Sequence, residues 1–208
     1  EQEETDQELG IRSLRFKNGV TVHLKSMDSR KDQVLAQLTL AGGEIQETAD
    51  NRGITNAAAS VLNQPASARL SSIDIRDLMT GVNVKVGGNA GRDAVTVRIG
   101  GSTKDLETGL QLTYLILTGG RLESSAMELW RQLQLQAITE RKSNLHENLF
   151  DGFRELLYGG DPRVKPLAAE QVKAISLESA QAWLDGLLGA APLEAAGANR
   201  AEDDLIGR

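Results

Sequence analysis

The spacing of hydrophobic residues changes along this chain, and that change limits its fold class. Before about residue 100, most of them alternate with polar residues in short runs, as in strands with one buried face. After about residue 102 they recur every three or four positions, as in amphipathic helices. Strands followed by a block of helices predict an α+β domain, an antiparallel sheet covered on one face by helices. There is no βαβ alternation, so a doubly wound nucleotide fold is not expected.

The strand half contains two predicted hairpins and a third strand. Asn18-Gly19 separates two alternating runs and predicts a hairpin with a type I′ turn, which needs two residues with positive φ. A third strand is predicted at residues 33–40. A second hairpin is predicted on either side of a flexible glycine-rich loop at residues 87–91. Its strands are marked by Val82, Val84 and Val86, and by Val95, Val97 and Ile99.

Helices are predicted wherever the spacing becomes three to four and a capping residue precedes it. The first carries an apolar stripe of Ile54, Ala57, Ala58, Val61 and Leu62, and a short one follows Ser71 or Ser72. A third helix is predicted from Ser102 or Thr103 to Gly119 and carries Leu106, Leu110 and Leu117. A fourth is predicted over residues 125–143, with Ala126, Trp130, Leu133 and Ala137 on one stripe. Three more are predicted over Leu149 to Leu157, from Pro166, and from Ser176 through Leu187.

Composition excludes several kinds of site. The chain has no cysteine, which excludes disulfides, thiolate zinc sites and cysteine nucleophiles. Its formal net charge of -6 argues against a broad basic face, so no nucleic-acid partner is expected. No apolar run approaches the roughly 18 residues that a membrane-spanning helix needs, so no membrane span is expected either.

The two ends of the chain differ from its middle. Residues 1–10 are acidic and polar, which predicts a linker and no signal peptide, from either a longer polypeptide or a processed end. Residues 11–196 are predicted to form a single α+β domain. Pro192 to Ala196 begins like a strand that is broken at Gly197, so residues 197–208 are predicted to be a tail or a truncated end of the domain.

Several short sequence stretches, in order, resemble a known family. They are a hairpin at residues 14–22, a strand ending at 41–44, a loop into a helix at 52–54, a helix start at 102–107 and a helix end at 156–159. Together they resemble one domain of the insulinase/pitrilysin family of metallopeptidases, which includes mitochondrial processing peptidase. The resemblance covers about residues 14–188 and implies the processing-peptidase-like, or LuxS-like metallohydrolase, fold.

Active members of that family carry an inverted zinc motif, His-x-x-Glu-His, on the helix after the third strand. Its histidines bind one zinc ion from a single helical face, and its glutamate takes a proton from the zinc-bound water. On this chain the motif positions correspond to Asn56, Ala59 and Ser60. Asparagine and serine are poor zinc ligands, and alanine cannot act as a base. The distal ligand has a possible vestige in Glu140, which without the histidines is expected to be a solvated surface residue.

The resemblance implies a non-catalytic domain from the second half of such a peptidase. In longer family members, a zinc-carrying half and a related half without zinc close around a peptide substrate. The implied partner is therefore a catalytic half or a partner subunit of the same family. Zinc is expected there, and no cofactor is expected in this domain. Similar bacterial proteins suggest an extracytoplasmic or periplasmic location.

Two other functions stay open from the sequence, namely a free-standing scaffold or interaction protein on the same fold and an unrelated α+β enzyme. The two histidines give little support to the second. His23 is predicted to lie on the solvent side of a strand, and His146 is predicted to be a cap or surface residue near a helix start. They are far apart in sequence, and no cluster of other potential ligands accompanies either of them.

Overall fold

A single mixed sheet is the centre of the computed structural model, which describes residues 2–27, 31–161, 164–190 and 193–199. Its order is β1-β2-β3-β7-β4-β6-β5, and β3 and β7 form its parallel pair, the other pairs being antiparallel. The strands are β1 Gln2–Asp6, β2 Ile11–Arg15, β3 Thr21–Ser26, β4 Gln33–Ala41, β5 Val84–Ala90, β6 Ala94–Ser102 and β7 Leu193–Asn199.

Most of the helices of the described residues lie in the second half of the chain, as predicted. They are α1 Ile54–Ala58, α2 Ser72–Leu78, α3 Leu106–Gly119, α4 Ser124–Ser143, α5 Leu145–Leu157, α6 Ala169–Ala174 and α7 Leu177–Ala190. Short 3-10 helices occupy Glu44–Gln46, Ala59–Leu62 and Thr103–Asp105. None of the described helices is long and apolar enough to cross a membrane.

The helices cover one face of the sheet. Along β4, Val34 and Leu40 are buried, whereas Leu35 on the opposite face is 65% exposed. The covered face packs against α1, α3, α4 and α7 through one cluster that includes Leu40, Val97, Ile116, Trp130 and Leu184. The predicted α+β class is therefore confirmed. The sheet is mixed because β7 enters between β3 and β4, parallel to the first and antiparallel to the second.

The first hairpin is confirmed, but its turn is not type I′. Gly19 has a φ of 88°, whereas Asn18 does not have a positive φ. The N–H of Gly19 donates to the carbonyl of Phe16 at 3.0 Å, and the N–H of Phe16 donates to that of Val20 at 2.8 Å. This pattern matches the three-residue loop with a G1 bulge, in which a single glycine takes the left-handed conformation.

The predicted linker at residues 1–10 and the predicted tail at residues 197–208 both contain residues that form strands. Within the predicted linker, β1 pairs with β2 along the edge of the sheet. The predicted break at Gly197 is wrong, because β7 continues through Asn199 between two partner strands that satisfy its backbone groups. The first residue of the predicted final strand, Pro192, and residues 200–208 of the predicted tail lie outside the described residues.

The prediction of a flexible loop at residues 87–91 is also wrong for most of these residues. Residues 87–90 belong to β5 and pair with β6, so the turn is confined to residues 91–93. The free edge of β5 is held at this point by a side chain. Asn63 donates from Nδ2 to the carbonyl of Gly88 at 2.8 Å and accepts from its N–H at 3.2 Å. Paired backbone therefore keeps this stretch extended despite its glycines.

The buried faces of α3 and α4 are only partly those predicted. Leu106, Ala126 and Trp130 are buried as predicted, and Leu117 packs against the core. Leu110 of α3 and Leu133 of α4 are 43% and 54% exposed, and Ala137 is exposed as well. Leu106, Gly109, Thr113 and Ile116 are buried in α3, and Ala126, Met127 and Trp130 in α4. Small residues let α3 approach the sheet closely, a feature that hydrophobic spacing alone does not reveal. The predicted start of α6 at Pro166 is three residues early.

Candidate functional site

The segment Ile54–Leu62 carries the motif positions and is mostly buried. It follows β4, which is the strand predicted third in the sequence, as expected. Its α-helical part ends at Ala58 and continues as a 3-10 helix, which tightens the turn across the motif positions. The predicted apolar stripe is confirmed: Ile54, Ala57, Ala58, Val61 and Leu62 are at most 5% exposed. Most of the segment therefore faces the core rather than solvent.

A carboxylate fixes the start of this segment. Glu47 accepts from the backbone N–H of Gly53 at 2.8 Å and from that of Thr55 at 2.9 Å. These donors lie at the N-terminus of α1, where N–H groups have no partner within the helix. Gly53 has a φ of 89°, and a Cβ there would lie 2.9 Å from Leu167 Cδ2. The positive φ therefore favours glycine here, and a Cβ would also require the end of the Leu167 side chain to shift.

The structure brings the three motif positions together. Asn56, Ala59 and Ser60 line a cavity of about 230 Å³, facing Trp130 of α4 and the end of β5. Ala59 is only 7% exposed. Asn56 donates from Nδ2 to Glu44 Oε1 at 2.7 Å, while Ser60 Oγ is buried without a hydrogen-bond partner among the described residues.

These residues do not fit a zinc ion. Protein zinc sites are built from imidazole, thiolate and carboxylate ligands, and the motif positions offer an amide, a methyl group and a hydroxyl group. The described residues contain no group of three histidine, cysteine, aspartate or glutamate side chains placed to hold a metal. Glu140 is exposed on α4, accepts from Gln136 Nε2 at 2.8 Å, and does not line the cavity. The structure therefore does not bring it to the motif positions.

A second cavity lies on the other side of Asn56 and was not foreseen from the sequence. It has a volume of about 270 Å³, and Asn56 lines both cavities. Five of its lining side chains are cationic and come from five separate segments: Arg52, Arg92, Arg141, Arg154 and Lys165. Their separation along the chain explains why no local motif marks them. We refer to this space as the cationic cavity.

A polar network on the open face of the sheet was also missed. His23 Nδ1 lies 2.8 Å from Ser13 Oγ, and His23 Nε2 lies 2.9 Å from Glu194 Oε1. The order of these groups is that of a hydrolase triad, but the backbone N–H groups of β2 and β3 are engaged in the sheet. They do not form the oxyanion pocket that such chemistry needs. The network therefore ties β2, β3 and β7 together across the open face.

In an ordinary surface helix the apolar side faces the core, but in α5 the polar side faces the domain and the apolar side faces solvent. Asp151 faces the domain, with its side chain 18% exposed and 3.9 Å from Arg141 of α4. Leu145 and Leu156 on the other side are each 85% exposed. We call this side the α5 apolar face; it consists of Leu145, Leu149, Phe150, Phe153, Leu156 and Leu157. His146 is exposed at the start of the helix, as predicted.

No model of a known protein family matches the chain, and no curated protein matches it in sequence. Its structure is similar to several solved ones. PqqL, a periplasmic protease from Escherichia coli, superposes with a TM-score of 0.85 at 20% identity, over 99% of this chain and 23% of PqqL. A peptidase M16 inactive domain from Pseudomonas fluorescens superposes with a TM-score of 0.79 at 16% identity, over 93% of this chain and 47% of that one.

The ferredoxin protease FusC, solved as a mutant in complex with Arabidopsis ferredoxin, gives a TM-score of 0.81 at 14% identity. The match covers 99% of this chain and 23% of FusC. The chain thus spans about a quarter of the two long proteases. These neighbours include both proteases and an inactive domain, which agrees with the resemblance seen in the sequence. The chain has the fold of an insulinase/pitrilysin, or M16-type, peptidase domain.

Proposed function

We propose that this chain is a non-catalytic domain of an insulinase-family zinc metallopeptidase and contributes to the wall of its substrate chamber. One observation carries the proposal. Segment Ile54–Leu62 keeps the position and the burial of a motif-bearing helix, while Asn56, Ala59 and Ser60 offer neither zinc ligands nor a base. A helix that packs without such groups supports structure and binding rather than hydrolysis.

Peptide is the ligand that this proposal implies. The two cavities flank the motif segment, so a chain lying along it would meet polar and cationic side chains on one side and Trp130 on the other. One structural neighbour is described as an inactive M16 domain, so the fold occurs without activity. In this proposal the domain holds or confines peptide, and zinc and the base belong to another part of the peptidase.

The partner in this proposal is a catalytic half or subunit of the same family, and the α5 apolar face supports it. The six residues of that face are between 51% and 85% exposed. Monomeric soluble proteins rarely expose large contiguous apolar patches, and such patches are typical of protein interaction sites. The polar side of α5 already contacts α4 through Asp151 and Arg141, so its apolar side is the one available to a partner.

Zinc analysis tests the loss of the metal site. After dialysis against zinc and then buffer, the purified chain should retain far less than one zinc ion per molecule. The matched control is the triple variant Asn56→Ala, Ala59→Gly and Ser60→Ala, which should retain the same small amount. Stoichiometric, tightly bound zinc that the triple variant loses would contradict the proposal.

A free-standing interaction protein on the same fold is a second candidate, and the exposed α5 apolar face favours it equally. Reading the gene upstream of Glu1 for His-x-x-Glu-His separates the two. A catalytic half in the same reading frame selects the chamber domain. Its absence there, together with a stable complex between this chain and a protein without that motif, selects the interaction protein.

A further inference from the structure

The cationic cavity beside Asn56 has a composition unlike that of the chain as a whole. The protein carries a formal net charge of -6, yet five cationic side chains line this one space with two glutamates. We propose that the cavity binds a carboxylate, and that this group is carried by an acidic residue of a bound peptide. The peptide part of the proposal rests on the function proposed above, whereas the carboxylate part rests on the geometry of the cavity.

Arg52 is fixed by the loop that carries it. The carbonyl of Asn51 accepts from the N–H of Ile54 at 3.1 Å, and Asn51 Oδ1 accepts from the N–H of Thr48 at 2.6 Å. Gln171 Nε2 donates to the carbonyl of Ala49 at 3.1 Å, which ties the same loop to α6. Arg52 is half-buried as a residue, and its guanidinium has no ion-pair partner among the described residues. Little ordering of this loop is then needed on binding.

Arg92 reaches the cavity from the turn between β5 and β6, which is fixed as well. Its carbonyl accepts from the N–H of Ile45 at 2.7 Å, and the carbonyl of Gly91 accepts from that of Glu44 at 3.2 Å. At Gly43 the φ is 135°, and a Cβ there would lie 2.5 Å from the Gly91 carbonyl oxygen. The turn therefore packs directly on backbone. The side chain of Arg92 has no ion-pair partner within the described ranges.

The two glutamates of the cavity are already engaged with neutral donors. Glu47 binds the backbone at the start of α1, and Glu44 accepts from the side chain of Asn56. Neither forms an ion pair with Arg52 or Arg92 in the part of the chain that the structure describes. The carboxylates of this space thus leave these two guanidinium groups free for an incoming anion.

The other cations differ in how fully they are engaged. Arg141 lies 4.0 Å from Glu147 and 3.9 Å from Asp151, and Lys165 lies 2.9 Å from Glu155. These pairs offset part of the positive charge. Among the described residues, Arg52, Arg92 and Arg154 have no ion pair; Arg52 is half-buried, and Arg92 and Arg154 are exposed. The site depends chiefly on Arg52 and Arg92, because hydrogen bonds fix the loop and the turn that carry them. A guanidinium presents paired N–H groups that match the two oxygens of a carboxylate, which favours this ligand over a neutral one.

The experiment titrates the 208-residue chain with three probes and follows binding by calorimetry. The probes are a short peptide with glutamates at its centre, the same peptide with glutamines, and inorganic phosphate. We expect the glutamate peptide to bind at least roughly 10-fold more tightly than the glutamine peptide, about the loss expected for one charge-assisted hydrogen bond. The difference should shrink in high salt because the charges are then screened.

Variants then locate the binding. The double variant Arg52→Gln and Arg92→Gln should lose the preference for the glutamate peptide, whereas Arg69→Gln with Arg76→Gln, exposed arginines outside the cavity, should keep it. Circular dichroism establishes that each variant is folded. Equal affinity for the two peptides overturns the proposal, and so does a preference that survives the cavity variant. Binding of phosphate alone overturns the peptide part and shows a small-anion site.

These outcomes are distinct from failure of the proposed function. Stoichiometric zinc in the chain would contradict the non-catalytic role without changing the affinity for a carboxylate. Conversely, equal binding of the two peptides would leave the zinc result unaffected.

Discussion

Segment Ile54–Leu62 and helix α5 use apolar residues in opposite ways. In the first, apolar side chains are buried against the sheet and α7, and the positions that would carry chemistry hold Asn56, Ala59 and Ser60. In the second, the apolar side chains face solvent, and the polar side contacts the domain. One element stabilises this fold by itself, whereas the other gains stability only when something covers it.

This domain has the fold of a peptidase but no zinc ligands at the motif positions, so its packing and its exposed surfaces have separate roles. The packing of the motif segment is needed whether or not zinc is present, because its removal would open the core. The α5 apolar face contributes nothing to the core of the isolated chain. Under the proposed function, a partner would cover this face.

Truncating one leucine in each region should separate the two roles most strongly. Leu62, 1% exposed, and Leu156, 85% exposed, are the matched positions. We expect Leu62→Ala to lower the free energy of unfolding by about 2–5 kcal/mol, because it removes buried surface and leaves a cavity. We expect Leu156→Ala to change it by less than about 0.5 kcal/mol. Urea denaturation of both variants measures the difference, and similar losses would contradict the contrast.

The α5 apolar face should matter for assembly instead. Replacing Leu149 and Phe153 with glutamate should weaken binding to a catalytic half by roughly 100-fold, because two apolar anchors are lost at once. The free energy of unfolding of the isolated chain should stay within about 0.5 kcal/mol. As the control, Glu147→Gln and Glu155→Gln change the polar side of the same helix. Surface plasmon resonance measures the affinity, and unchanged binding in the glutamate variant would exclude this face as the interface.

The motif segment and most of the strands were predicted because each depends on a local signal. Strand β1 was not predicted, because its residues are polar and exposed along the edge of the sheet. Alternating residues identify β4, and the spacing of Ile54 to Leu62 identifies the buried face. The sequence did not show that the apolar side of α5 is exposed to solvent. An amphipathic pattern shows which side of a helix is apolar, but not whether another element covers that side. The strand pairing of β7 and the cationic cavity were also beyond local reasoning. Both join residues that are far apart in sequence, such as Leu24 and Gly197, or Arg52 and Arg92.

Gly53 tests how tightly the motif segment is held. We expect Gly53→Ala to lower the free energy of unfolding by about 1–3 kcal/mol, because alanine is strained at a φ of 89° and its Cβ meets Leu167 at 2.9 Å. Gly10→Ala is the control, since Gly10 also has a positive φ, 63°, but a Cβ there meets nothing within 4 Å. The difference between the two variants in urea measures the steric part. Equal losses would show that Leu167 yields easily.

The smallest effect concerns an exposed cap outside both regions. At the start of α2, the Ser71 side chain, followed by its backbone N–H, lowers the pKa of Asp74 from its ordinary value of 3.8. A lowered pKa in the folded state means that the unfolded chain binds the proton more readily. The stabilisation from this contact is therefore complete above pH 3.8 and is lost as the pH falls through the lower folded value.

Ser71→Ala should raise the pKa of Asp74 only part of the way, because the backbone N–H remains to hold the carboxylate at 2.9 Å. The stability of this variant should therefore fall less in acid than that of the unaltered chain. Titration of the Asp74 carboxyl carbon by NMR measures the shift. Ser72→Ala, at the next residue, removes a hydroxyl bound to Glu123 and should leave the Asp74 titration unchanged. An upward shift in both variants would show that the start of α2 loosens as a whole, and that the Ser71 hydroxyl has no specific part in holding the charge.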